Sequence, residues 1–392
     1  MKLNLTIQPR FRIGLFPLVL AILAGVAFVI AMLRFIYGIG AISNLNNAYP
    51  WAFWVSFDLF TGIAISSGAF ILASIVYIFE LEEFRPLLRP TLLTGLLGYI
   101  MEIIALMVDL GHPERIWHYF VYQNFNSFLL VIGFYVMIYS AVMAAEFAPA
   151  VFEKFHWTKA ASLIHRWMKP IVIVGAVLST LHQAALGSLL LIQPTKLFPL
   201  WWTPWIPPLF FVSAIAIGLA MTIFESSLSS RYFHRGLETH LLEKLAKAIP
   251  VVLVIYALLK FGELAWAGDL GYLFTSGAMS VLFWAEIILG ILIPTILFSI
   301  KKVRQSANGL LTGAIVLLLG MILNRFNVSW FGVQHPDPLT YMPTFMSNVH
   351  YFPTLPEVAV SVGIFSAGIL AFGLAAKYLP VFEEENPRAA GD

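Results

Sequence analysis

The sequence predicts an all-α integral membrane protein of about ten transmembrane helices, with both termini on the cytoplasmic side. Three observations carry this. Of the 392 residues, 60% are hydrophobic and 11% charged, against about 25% charged in an average soluble domain. Runs of about 20 apolar residues recur along the whole sequence, each long enough for a hydrocarbon core of about 30 Å, where barrel strands would give short alternating segments instead. Lysine and arginine gather in alternate linkers.

The first run, 14–37, follows Lys2, Arg10 and Arg12. It exceeds the apolar core of a signal peptide, about 7–15 residues, and is read as a retained first helix. The second, 53–79, opens behind the aromatics of "AYPWAFWVSFD" and carries Asp58. The third, 91–109, runs into "DLGHPERIWHY", and the fourth spans 127–148. Lys154, Lys159, Arg166 and Lys169 separate it from the fifth, 170–192. "FPLWWTPWIPP" leads into the sixth, 208–228, and Arg231, Arg235, Lys244 and Lys247 into the seventh, 249–266. The eighth, 277–300, ends at Lys301, Lys302 and Arg304, and the ninth covers 309–328. The aromatic, proline-rich stretch 329–357 precedes the tenth, 356–378. Residues 1–392 read as one polytopic membrane domain, with 379–392 a short solvated cytoplasmic tail.

The N-terminus, the linkers after the even-numbered spans and the C-terminus hold 18 of the 23 Lys and Arg residues. The opposite linkers hold only Arg115 and Lys196. Cytoplasmic loops carry the excess of positive charge, which sets the orientation and agrees with an even number of spans. The outer loops are rich in Trp, Tyr, Phe and Pro. Part of this is an interfacial aromatic belt. The last loop, with Pro336, Pro338, Pro343 and Pro353, is too long for that alone and suggests an ordered cap that docks another protein.

The balance also excludes several classes. Basic residues scattered in short loops make no nucleic-acid surface. The absence of cysteine removes protein-held iron–sulfur clusters, covalently attached haem and disulfides. Nucleotide loops, zinc spacings and a serine nucleophile elbow are missing, so no metal site is expected.

A charge at the centre of a spanning helix costs about 2.5–3.5 kcal/mol on insertion scales, and this sequence has many. Asp58 lies one or two turns in from the outer face, Asp109 and Arg325 near the outer ends of their helices, and Lys260 and Glu263 in the outer half of the seventh span. Glu102, His182 and Glu286 lie near mid-depth, and Glu146 and Glu225 near the inner ends. Structural readings exist for several. Lys260 and Glu263, three apart on one helix, can pair. Asp109 can cap its helix or pair with a base, Glu146 and Glu225 can reach inner-surface water, and His182 can be a satisfied core histidine. Small residues such as Gly62 and Ser66, or Gly95 and Gly98, read as helix packing. A b-type haem needs two axial ligands at matched depth. Only His182 lies well inside a span, so no haem is expected.

Buried carboxylates, one deep histidine and access from lipid fit quinone chemistry. A quinone needs hydrogen-bond donors at its carbonyls and groups that pass two protons, and an imidazole and a desolvated carboxyl suit that exchange at neutral pH. Transporters also carry such groups, so a secondary transporter stays open beside it. So does a passive membrane anchor.

"YPWAFWVSFDLFTG", "DLGHPERIWHY", "AAEFAPAVFE", "LHQAALGSLLLI", "IFES", "KFGEL" and "FPTLPEVAVSVG", in that order along nearly the whole sequence, resemble the NrfD-like family. These are the membrane subunits of polysulfide reductase-like complexes, above all the quinone-reactive subunit of periplasmic nickel–iron hydrogenases and related subunits of sulfate-reducer complexes. The resemblance implies two four-helix bundles plus two extra helices, without haem, in the cytoplasmic (inner) membrane. It implies a menaquinone or ubiquinone site near the outer face. It also implies a periplasmic iron–sulfur partner with a catalytic subunit of hydrogenase, sulfur-metabolism or multihaem cytochrome type. Carried onto this sequence, Asp58 and His182 fall at the quinone head group, with Gln183, Glu263 and Arg325 beside them. Glu225 and Glu146 match acids that relay protons from the inner side, with Glu102 and Glu286 as midpoints. The "NFNSFLLVIG" stretch lacks an acid that some members carry, so one proton route common to all members does not follow.

Overall fold

The computed structural model describes residues 14–46, 49, 53–192, 196–334 and 351–382. The long proline-rich loop therefore falls largely outside the described residues, as do Pro50, Trp51, Ala52, the basic N-terminal flank and most of the C-terminal tail.

The described residues contain ten helices long and apolar enough to cross a membrane: α1 (Leu15–Tyr37), α2 (Val55–Ile78), α3 (Glu82–Asp109), α4 (Phe128–Lys154), α5 (Thr158–Leu191), α6 (Ile206–Phe233), α7 (Thr239–Ala267), α8 (Ala278–Ser299), α9 (Ala307–Phe331) and α10 (Leu355–Tyr378). Helices α2 to α5 pack in a closed ring, α6 to α9 in a second, and α2 lies against α6 between them. Helices α1 and α10 pair with each other and lean on α3. This is the expected arrangement of two four-helix bundles and two extra helices.

Contacts between helix ends separate two faces. At the near face, where α1 starts and α10 ends, Lys169 Nζ lies 2.6 Å from Glu80 Oε1, Arg89 binds Glu153 at 2.9 Å, and Lys244 pairs with Glu83. The hydrogen bond and charge of Lys169 hold the exposed Glu80 carboxyl below its usual range. Exposed pairs like these add little stability. At the far face, Arg34 of α1 donates to Val108 O and to Leu110 O on either side of Asp109, and the Asn44 amide donates to Glu357 Oε1 of α10 at 2.8 Å.

Several helices run past the apolar stretches. α5 begins at Thr158 rather than near 170, and α7 at Thr239 rather than near 249. Hydropathy stops at the first charges, but a helix satisfies its own backbone in water and continues.

Glycines set the closest crossings. Gly320 of α9 lies against the backbone of Leu289 and Gly290 in α8, an approach that only small residues allow. Overpacking typically costs about 1–3 kcal/mol, and here backbone on both sides cannot give. Gly320→Val is expected to cost at least that much, read as a lower thermal unfolding midpoint in detergent.

Candidate functional site

Helix α2 opens with a π-helical segment, Val55–Thr61, in which Thr61 Oγ1 donates back to Ser56 O at 3.0 Å. Bulges of this kind recur at functional sites because they re-aim side chains within a continuous helix. Here the segment directs Asp58 toward α10, where Ser361 Oγ donates to its Oδ2 at 2.7 Å. Asp58 is buried, and its Oδ1 has no hydrogen-bond partner. The next residue back, Phe57, joins an aromatic wall with Phe53, Phe326 and Phe365, at ring-centroid distances of 5.8, 6.1 and 5.0 Å.

Asp58 lines a cavity of about 560 Å³, open to the outside, among α1, α2, α3, α6 and α10. Glu102 and Glu225 line the same cavity. Glu102 lies seven residues from the far end of α3, about 10 Å at 1.5 Å per residue. Glu225 lies nearer the other end of the cavity, where Arg231 and Tyr232 also line it. Neither oxygen of Glu102 has a hydrogen-bond partner, and the Glu225 carboxyl has the Ser226 and Ser229 hydroxyls beside it. Buried polar groups are normally paired because leaving them unpaired is costly. Three carboxyl groups in one apolar compartment therefore call for a use beyond packing.

His182 is not on this cavity. It sits inside the α2–α5 bundle, fully buried, with Nδ1 2.9 Å from Tyr99 Oη. Gln183 is also fully buried and donates to Ile63 O at 3.1 Å. The Tyr99 and Tyr139 rings meet edge to face at 4.9 Å. Further along α4, Glu146 sits where Gly175 of α5 leaves room for its carboxyl. His182 Nε2 and Glu146 Oε2 lack partners, and the Tyr139 and Ser179 hydroxyls lie beside each other. These groups form a second polar column, parallel to the cavity. Glu102 lies three residues from Tyr99 on α3, on an adjoining strip of the same helix, so the two columns approach each other there. The structure thus brings Asp58, Glu102 and Glu225 together and places His182, Gln183 and Glu146 in a separate compartment.

The remaining candidates meet in the second bundle. Glu286 accepts from four groups: Lys260 Nζ and Asn324 Nδ2 (2.8 Å) on Oε1, and Trp201 Nε1 (2.9 Å) and Asn327 Nδ2 (2.8 Å) on Oε2. Lys260 therefore pairs with Glu286 of α8 rather than with Glu263 on its own helix, which corrects the local pairing expected from spacing. The carboxylate arriving from α8 is the more deeply buried and arrives already braced by amides. Glu263 instead lines a cavity of about 20 Å³ with Lys260, Arg325, Tyr256 and Thr203, about the size of one water site. Arg325, 1% exposed, donates to Asn324 Oδ1 at 2.8 Å and to Ser213 Oγ at 2.7 Å, and stacks 3.9 Å over Phe210.

Sequence reasoning passed over one buried acid. Glu357, fully buried, closes a capping box with Thr354 at the start of α10 and accepts from Tyr351 Oη. Burial and that hydrogen bond push the Tyr351 hydroxyl pKa up. The Thr-x-x-Glu spacing before an apolar run was the available signal.

Residues 41–335 match the family model described as "Polysulphide reductase, NrfD". The protein is 34% identical over 367 residues to the probable Ni/Fe-hydrogenase 2 b-type cytochrome subunit of Escherichia coli K12, covering 91% of each. It is 28% identical over 372 residues to the menaquinone reductase integral membrane subunit of Nitratidesulfovibrio vulgaris, covering 89% of this protein and 87% of that one. A polysulfide reductase polypeptide of Wolinella succinogenes is 24% identical over 318 residues, covering 75% of this protein and 97% of that one.

Proposed function

The protein belongs to the NrfD family, and from that premise we propose that it is the quinone-reactive membrane subunit of a multi-subunit oxidoreductase, exchanging electrons between menaquinone or ubiquinone and an iron–sulfur partner. The observation that carries this is Asp58. It is a buried carboxyl with one oxygen held by Ser361 and the other unpartnered, on a cavity among spanning helices. The relatives named above belong to a hydrogenase, a menaquinone reductase and a polysulfide reductase, and a catalytic subunit of one of these kinds fits here as partner. The lysine- and arginine-rich near face is cytoplasmic by charge bias. On this reading the protein sits in the cytoplasmic (inner) membrane, with Asp58 and the docked iron–sulfur subunit toward the periplasm.

The quinone head group meets Asp58, which exchanges its protons, with the aromatic wall behind it. His182 and Gln183 act from the bundle through Tyr99 and Glu102 rather than by touching the quinone. Glu225 on the cavity and Glu146 in the bundle take up protons near the cytoplasmic face, and Glu102 stands where the two columns approach. Glu286, with two donors on each oxygen, serves as a counter-ion. Arg325 and Glu263 belong to that same hub. The Escherichia coli relative carries a cytochrome in its name, but the residues here do not fit a haem. Among the described residues, His182 is the one histidine deep in a span. Its Nδ1 is engaged by Tyr99, and it lines neither cavity described above.

The test is reconstitution of the native complex, with its companion subunits, in sealed liposomes containing quinone. Electrons should pass between quinone and partner, and turnover should build a membrane potential. Glu225→Gln is expected to lower the potential per electron at least twofold. Solute counterflow by this subunit alone, with no quinone reaction in the complex, would replace this reading by transport.

A further inference from the structure

The cavity holding Asp58 has two unlike walls. Helices α1 and α10 contribute only apolar residues, among them Phe16, Leu20, Ile364 and Ile369. The facing wall carries Asp58, Thr94, Glu102 and Glu225; the first three each have a side-chain oxygen without a partner, and Glu225 has the Ser226 and Ser229 hydroxyls beside it. The compartment runs from Asp58 to Tyr232 near the opposite face, far longer than any quinone head group.

On the cavity wall, Gly62 differs from Gly98 and Gly368, which are pressed against neighbouring side chains. Gly62, one turn below Asp58, lines the cavity, and a Cβ built there would meet no heavy atom within 4 Å. Gly95 and Gly98 press directly on Ala69, Met143 and Ser66. The backbone at Gly62 is ordinary right-handed helix, φ −59° and ψ −47°, where alanine or leucine is intrinsically better than glycine. Neither contact nor conformation therefore calls for glycine at this position. What glycine preserves is open width in the cavity beside Asp58.

We propose that this cavity receives the isoprenoid tail of the quinone. The head group rests at Asp58, and the tail passes Gly62 and lies along the α1–α10 wall toward Tyr232. This rests on the quinone reading above and adds a specificity element to it: the open space at Gly62 makes the subunit selective for long-tailed quinones. A tail against the apolar wall leaves the acidic wall free to carry protons. The tail arrives from lipid rather than from water, so its gain is dispersion contact in a close-fitting channel rather than hydrophobic transfer.

The test uses the intact complex in liposomes and a ladder of quinones with one head group and zero, one, two, four or more isoprene units. KM is expressed as mole fraction in lipid. The wild-type KM is expected to fall at least tenfold from the tailless to the four-unit quinone. Gly62→Leu should compress that ratio to threefold or less, and Gly62→Ala, the milder change, should fall between. A flat wild-type ladder, or a Gly62→Leu ratio equal to wild type, overturns the inference while leaving quinone reactivity intact. Failure of every quinone to react with the wild type overturns the functional reading, and this inference with it.

Discussion

Replacing Asp58 by asparagine is expected to lower quinone-linked turnover of the intact complex by about 10²–10⁴-fold, the usual contribution of a positioned proton donor or acceptor. The substitution is nearly isosteric. Ser361 Oγ donates to Asp58 Oδ2 at 2.7 Å, and the carbonyl oxygen of an asparagine can accept the same bond, so the π-helical turn and the aromatic wall keep their places. What disappears is an ionisable group within reach of the quinone oxygens. Removing a poorly satisfied carboxyl from an apolar cavity relieves rather than adds a burial cost. The variant should therefore assemble and unfold at or above the wild-type temperature. The loss should fall in kcat with little change in KM, because the space for head and tail is unaltered. Steady-state kinetics at saturating quinone, together with thermal unfolding of the same preparation, separate this from a folding defect. Normal turnover in a well-assembled Asp58→Asn complex would remove Asp58 from the chemistry.

The sequence shows plainly which segments cross the membrane, because a bilayer demands about 20 apolar residues at a time. It also shows which ionisable groups are buried there. It does not show who faces whom. Lys260 and Glu263 share one helix and a spacing that permits pairing. The stronger partner, Glu286, comes from α8 with Asn324, Asn327 and Trp201 around it, a contact no local spacing encodes. Asp58 and His182 occupy neighbouring helices, yet the π turn aims one at α10 while Tyr99 holds the other inside the bundle. Hydropathy carries no mark of a π turn. Gly62 reads as a packing glycine in the sequence, and only the fold reveals open space in front of it. The charged helix extensions at the near face escaped for the opposite reason, since hydropathy measures the membrane and not the helix.

The second large effect lies in the hub. Lys260 and Glu286 have side chains 6% and 2% exposed, so neither charge can be repaired by water. Lys260→Met is expected to destabilise the protein by about 3–5 kcal/mol, the usual consequence of leaving one member of a buried pair without the other. Glu286 would keep its three neutral donors but lose its cation. Arg325 cannot easily take over, because Asn324, Ser213 and the Phe210 ring already hold its guanidinium. Glu286→Gln should cost less. Glu263 lies three residues from Lys260 and lines the same small cavity, so the orphaned ammonium has a second carboxylate to turn to. The double variant Lys260→Met, Glu286→Gln should then be more stable than Lys260→Met alone. A double-mutant cycle on thermal unfolding should give a coupling of about 1–3 kcal/mol, within the range for directly contacting residues. The cavity around Asp58 lies outside this network, so whatever Lys260→Met complex survives should keep a normal quinone KM. A loss below about 1 kcal/mol, or a strictly additive double variant, would mean that the pair is no anchor of the second bundle.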